Sequence, residues 1–227
     1  MGRPTLLSYV LTSPWHTPPK NFKQSKLTSP YADSDLFTVV RNPYSRFVSE
    51  YYCPWQGFNG KYRKKREHGD RNDPNVMNDW IQRSLRNMEG EWAKFQRHSK
   101  LEDEDRVAYI IAQKHFINQV EYVYEDYESR KTIVPMENVV HYENMQVEFS
   151  ALMKRYRLDI ALPAHSHTLT DKTKKLSFLD LSRETIQVIN RYAAADFEAF
   201  GYEMVDSFDD GEEYSLKPTL QRTTDNH

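Results

Sequence analysis

The chain has 227 residues, 38% of them hydrophobic, 28% charged and 13% aromatic, with a formal net charge of −2. That length holds one good-sized domain or two small ones, and the near-neutral balance gives no electrostatic reason to expect a nucleic-acid partner. The single cysteine, Cys53, excludes an intrachain disulfide and a cysteine zinc cluster, and no apolar run approaches the ~20 residues of a membrane span.

Residues 1–35 are rich in Pro, Ser, Thr and Lys, with one short strand-like run from Leu6 to Leu11 and no signal-peptide pattern. An apolar β-type run, Leu36 to Val40, then stops at Arg41. Asn42 suits a helix N-cap and Pro43 the first helical position. In the helix that follows, Phe47, Val48, Tyr51 and Tyr52 make an apolar face, while Ser45 and Ser49 share another face at i and i+4. Residues 54–73 read as a long loop carrying the basic run Lys61 to Arg66, a solvated stretch, a contact for an anionic glycan or a basic localisation signal. Asp73-Pro74 opens a helix with Met77, Trp80, Ile81, Leu85 and Met88 at helical spacing, and residues 89–105 read as charged and exposed.

A helical stretch near 106–115 leads into Gln119 to Tyr124, which alternates like a strand. Thr132 to Val134 and Val139 to Tyr142 are short strand candidates, and Gln146 to Tyr156 is a helix with Phe149, Leu152, Met153 and Tyr156 on one side. One helix is predicted from Arg183 to Phe200, capped by Ser182 and closed by Gly201 in the left-handed position. Residues 206–227 read as a disordered acidic tail beyond a domain spanning 1–205. The alternation of strands and helices favours an α/β layered domain.

A strand end, an arginine and a helix start together suit a phosphate or sulfate, because helix-start amides attract an anion and arginine supplies a planar charged fork. The segment FTVVRNPYSRFVSEYY in fact resembles the 3′-phosphate-binding segment of sulfotransferases that use 3′-phosphoadenosine 5′-phosphosulfate (PAPS), most closely the Golgi carbohydrate and heparan-type branch. That pattern is a hydrophobic strand, Arg-Asp/Asn-Pro, then a helix with Ser eight residues after the Arg. Arg41, Asn42, Pro43 and Ser49 match it. His115-Phe116 with Gln119, the stretch 137–156 and the closing stretch 184–203 are similar to later family segments, so the resemblance spans roughly residues 6–204.

The resemblance implies a three-layer α/β fold with a P-loop-NTPase-like parallel sheet flanked by helices. It implies PAPS as co-substrate, no metal, a hydroxyl acceptor on a carbohydrate, and a Golgi-luminal, membrane-anchored setting. Arg41 and Ser49 would hold the 3′-phosphate, with Arg46 at a basic position of the motif. Lys172, Lys174 and Lys175 precede the closing helix, and Lys174 is the candidate for a phosphate contact. The family's Lys- and Gly-containing loop for the 5′-phosphosulfate is not found in residues 1–40, so the fold is expected to be N-terminally incomplete. Sulfuryl transfer needs a base near neutral pKa. His16, stiffened by flanking prolines, is the candidate, with Asp33 and Asp35 behind it. His115 reads as structural, Glu143 as bonding backbone in its own turn, and Cys53 as a small buried apolar residue beside Trp55. The missing loop keeps open a second class, a non-catalytic protein of this fold binding anions or polysaccharide. A nucleotide kinase would need that loop and a magnesium carboxylate, and neither is evident.

Overall fold

A computed structural model describes residues 18–22, 35–61, 67–97, 114–163, 176–208 and 214–219. His16, Asp33, the lysines at 172, 174 and 175, most of the 61–66 basic run and the Leu6–Leu11 run lie outside the described residues.

After a single turn, α1 (Pro19–Phe22), the chain forms β1 (Thr38–Val40) and then α2 (Pro43–Tyr51). Asn42 caps α2 as predicted, its Oδ1 accepting from the Tyr44 amide at 3.0 Å. The apolar face of α2 is buried throughout, with Phe47 and Tyr51 at 1% and 0% exposure. It meets α3 (Pro74–Arg97), whose Met77, Trp80, Ile81 and Leu85 are all buried. The Tyr51 and Trp80 rings cross edge to face at 5.5 Å. Fully burying side chains of this size contributes roughly 1.5–3 kcal/mol each, so this aromatic seam is the main cohesion around α2. α3 runs on to Arg97 through the charged stretch read as starting at 89.

Gln119 to Tyr124 is a helical turn, α4 (Val120–Val123), followed by β2 (Tyr124–Asp126), and not the continuous strand that its alternation predicts. The cause is tertiary. The carboxylate of buried Asp196 accepts from the amides of Gln119 and Val120 at 3.0 and 2.9 Å, capping the turn from 76 residues away in sequence and supplying the negative charge a helix start favours.

β2 pairs antiparallel with β3 (Lys131–Thr132). The other sheet is parallel: β1 runs alongside β4 (Val139–His141), with Val40 opposite His141. α5 (Met145–Arg155) covers β4, burying Leu152 and Met153 with Val140. The predicted last helix is two, α6 (Arg183–Tyr192) and α7 (Ala194–Phe200), bent at Ala193 (φ −105°, ψ 20°). Both ends match expectation: Ser182 Oγ accepts from the Thr185 amide at 3.3 Å, and Gly201 takes φ 68°. Asn78 of α3 locks the start of α6, donating to Asp180 O and accepting from the Ser182 amide, each at 2.8 Å.

Part of the stretch read as a loose tail is packed. Phe208 stacks edge-on against Tyr44, Phe178 and Tyr214, and the Thr219 amide donates to Gly201 O at 2.7 Å. The described residues are thus a mixed α/β structure with a small parallel sheet, compatible with the expected α/β class.

Candidate functional site

In parallel sheets, ligands gather beyond the carboxyl ends of the strands. Here those ends carry Arg41 after β1 and Tyr142 after β4. The register that sets Val40 opposite His141 brings the next residues together, and the Arg41 guanidinium lies 4.4 Å from the centre of the Tyr142 ring.

The backbone of Arg41 is held at two points by one side chain. Its amide donates to Gln119 Oε1 at 2.8 Å and its carbonyl accepts from Gln119 Nε2 at 2.9 Å. The side chain is steered by Ser45, whose Oγ accepts from Arg41 Nε at 2.9 Å. The two Nη groups carry no hydrogen bond among the described residues. Partial burial lowers the guanidinium pKa from its ordinary value, against Tyr142, Glu143 and Tyr202, which favour the charged form; arginine remains a cation at any physiological pH.

Arg41, Ser45 and Ser49 line one cleft of about 590 Å³. Leu176, Ser177, Phe178 and Leu216 stand on other walls, and Glu50, Tyr52 and Cys53 continue along the end of α2. Tyr52 fastens the 176–178 wall, its hydroxyl accepting from the Leu176 amide at 3.0 Å. The sequence pairing of Arg41 with Ser49 therefore corresponds to a shared surface.

The start of α2 is already partly occupied by protein groups, with Asn42 capping the Tyr44 amide. The N-terminus of α2 is buried and already holds a carboxylate: Glu143 Oε1 accepts from the Asn42 amide at 2.9 Å, and its Oε2 accepts from the Tyr202 hydroxyl at 2.9 Å. Glu143 thus bonds backbone, though across the fold and not in its own turn. Burial, together with Glu143, pushes the Tyr202 hydroxyl far above its usual pKa. The cleft runs along the serine flank of α2, with Arg41 as its cation.

Arg46 also departs from expectation. Its guanidinium donates to the carbonyls of His115 (3.0 Å) and Ile117 and pairs with Asp196 at 3.4 Å. Those partners occupy the donors that a phosphate would need, so Arg46 is a strut between α2, the 114–119 turn and α7. Asp196, which the sequence reading placed in the closing family-like stretch without giving it a role, is the hub of this network: fully buried, it takes three hydrogen bonds from Gln119 and Val120 besides the ion pair. Burial pushes its carboxyl above the ordinary range, and Arg46 with the amide donors opposes that shift. An aspartate in a run of helical apolar residues, Ala193 to Phe200, was the available signal.

Cys53 is half-buried and lines the cleft, while Trp55 is 47% exposed, so the reading of Cys53 as buried filler is also corrected. Asp35 is exposed. The loop after α2 is held hard against the helix end: a Cβ on Gly57 would fall 2.4 Å from Glu50 O and 2.6 Å from Cys53 O. Gly57→Ala is expected to cost ~1–3 kcal/mol through overpacking against backbone, read as a lower urea midpoint.

A second cleft, of about 680 Å³, includes His141. Its ring nitrogens already face Glu148 Oε2 at 3.0 Å and Phe200 O at 3.2 Å, so it offers no free lone pair for chemistry.

A small parallel sheet thus carries, at its carboxyl edge, a cleft lined by Arg41 and by Ser45, Ser49 and Ser177. Residues 12–203 match the family model described as "Sulfotransferase family", and the chain belongs to that family. No curated protein and no solved structure matches the chain. Among the described residues, no helix is long and apolar enough to cross a membrane.

Proposed function

We propose that this protein transfers a sulfuryl group from PAPS to a hydroxyl of a carbohydrate acceptor. The observation that carries the reading is the cleft shared by Arg41 and Ser49, with Arg41 pinned from behind by Gln119 and its Nη groups turned to no protein partner among the described residues. In this reading the Arg41 fork and the Ser49 hydroxyl take the 3′-phosphate, and Phe178 and Leu176 offer apolar surface to the nucleotide. The acceptor oxygen attacks sulfur in line, the bond from sulfur to the leaving phosphate oxygen breaks, and the acceptor proton passes to a base, for which His16 stays the candidate. Positioning and cationic stabilisation of the leaving oxygens supply most of the rate. Lys174 is a further phosphate contact in the same scheme. The reading extends to the three-layer, P-loop-NTPase-like sheet and to the Golgi setting that the family resemblance implies.

Calorimetric titration with adenosine 3′,5′-bisphosphate tests it. Saturable one-site binding is expected, and absence of binding would overturn the assignment of the cleft. Ser49 is exposed, so Ser49→Ala should leave stability within about 0.5 kcal/mol. The same variant should weaken binding of the bisphosphate roughly 3- to 10-fold, the worth of one hydrogen bond.

A further inference from the structure

We infer that Glu50, Cys53 and His115 form a three-ligand binding site for zinc at the edge of the cleft. The site is independent of the sulfuryl-transfer reading. Glu50 and Cys53 lie three residues apart at the C-terminal end of α2, and His115 arrives from the 3₁₀ turn Lys114–Phe116. Glu50 Oε2 is 3.0 Å from His115 Nδ1, Cys53 Sγ is 3.9 Å from the same nitrogen, and the three ligand atoms all lie within 4.8 Å of one another. Around a tetrahedral zinc such atoms stand about 3.4–3.6 Å apart, given ordinary zinc bond lengths. The Glu50–His115 and Cys53–His115 separations fall within about half an ångström of that range, and side-chain adjustments of up to about 1.4 Å would bring in a pair as far apart as 4.8 Å.

Two observations favour an ion over the obvious alternatives. In a thiol relay, cysteine and carboxylate address opposite nitrogens of the imidazole. Here both address Nδ1, which is convergence on a point and not a chain of proton transfer. In a plain structural ion pair the carboxylate would be satisfied. Glu50 Oε1 is instead buried with no hydrogen-bond partner among the described residues, an arrangement that costs about 1–3 kcal/mol and that a cation shared by both carboxylate oxygens relieves. Thiolate, imidazole and carboxylate together match zinc better than the oxygen-seeking magnesium or calcium. Three protein ligands leave a fourth position for water or substrate, and because Glu50 and Cys53 line the cleft, that position opens into it. Binding would release the thiol proton to solvent. The support is rigid, since the Cys53 amide donates to Glu50 O at 2.9 Å and its carbonyl accepts from Gly57 at 3.0 Å.

The test is metal binding by the full chain after exhaustive chelation, with zinc chloride in competition against a chromophoric chelator and with cobalt(II) as spectroscopic probe. One zinc per chain is expected, with a thiolate-to-cobalt charge-transfer band in the near ultraviolet. Cys53→Ser, nearly isosteric, should abolish that band and weaken zinc at least about 100-fold, since even outer-shell losses cost 10- to 100-fold. Glu50→Gln should weaken zinc comparably, and His68→Ala, at an exposed histidine elsewhere, should change nothing. Failure of the wild-type chain to bind zinc overturns the site, as does unchanged affinity in Cys53→Ser. The wild-type cobalt spectrum decides even if His115→Ala fails to fold. A wild-type chain that binds adenosine 3′,5′-bisphosphate but not zinc would overturn this site alone and leave the cleft assignment standing.

Discussion

Arg41→Ala is expected to weaken adenosine 3′,5′-bisphosphate by roughly 10- to 100-fold while the protein stays folded. The affinity loss follows from removing a charge-assisted contact worth about 1.5–3 kcal/mol. Folding is spared because Gln119 grips the backbone of Arg41 and not its side chain, so the strand end keeps its position in the variant. The side chain itself is bound only by Ser45 and the Tyr142 ring among the described residues. Arg41→Lys should recover only part of the loss, because an ammonium is a point charge with no planar fork and cannot keep both the Ser45 bond and a bidentate phosphate contact. Calorimetry on both variants, with circular dichroism as the folding control, gives the answer. Undiminished affinity in Arg41→Ala would remove the cleft as the nucleotide site.

Asp196→Ala should have the largest effect on stability, about 3–5 kcal/mol, the usual result of leaving one member of a buried charge pair behind. The variant strands the Arg46 guanidinium and uncaps the amides of Gln119 and Val120 at once. For a chain of this size the melting temperature should fall by on the order of 10 °C. Removing Arg46 as well should cost less than the sum of the two single changes, because the stranded charge disappears with it. A milder change at the same position tests how the site is supported. Gln119 also donates to Asp196 at 3.3 Å while it clamps Arg41, so partly folded Asp196→Asn should show weaker nucleotide binding although Asp196 does not line the cleft. Additive losses in the double variant would refute the network.

Local chemistry was legible wherever neighbours along the chain decide the outcome. Asn42 and Pro43 start α2, Ser182 starts α6 and Gly201 ends α7, because caps and left-handed positions depend on residue type alone. The buried faces of α2 and α3 follow from their 3.6-residue spacing. Residues 119–124 were misread because an alternating pattern fits a strand until a distant carboxylate caps it as a helix. The tail was misread at Phe208 and Thr219, where single residues in a polar stretch find partners that composition does not reveal.

By itself, the sequence determined the strand-Arg-Asn-Pro-helix junction and, through its resemblance, the sulfotransferase family to which the chain belongs. Only the tertiary structure decided which charges are free to act. Arg41 and Arg46 lie five positions apart with the same side chain, yet one faces a cleft and the other is consumed by Asp196 and two carbonyls. Likewise Glu50, Cys53 and His115 share no motif, because ligands brought together across 65 residues of chain become a cluster only when α2 and the 114–116 turn pack. Residue type sets what a side chain can do; long-range packing, which buries some partners and leaves others unpaired, sets whether it does it.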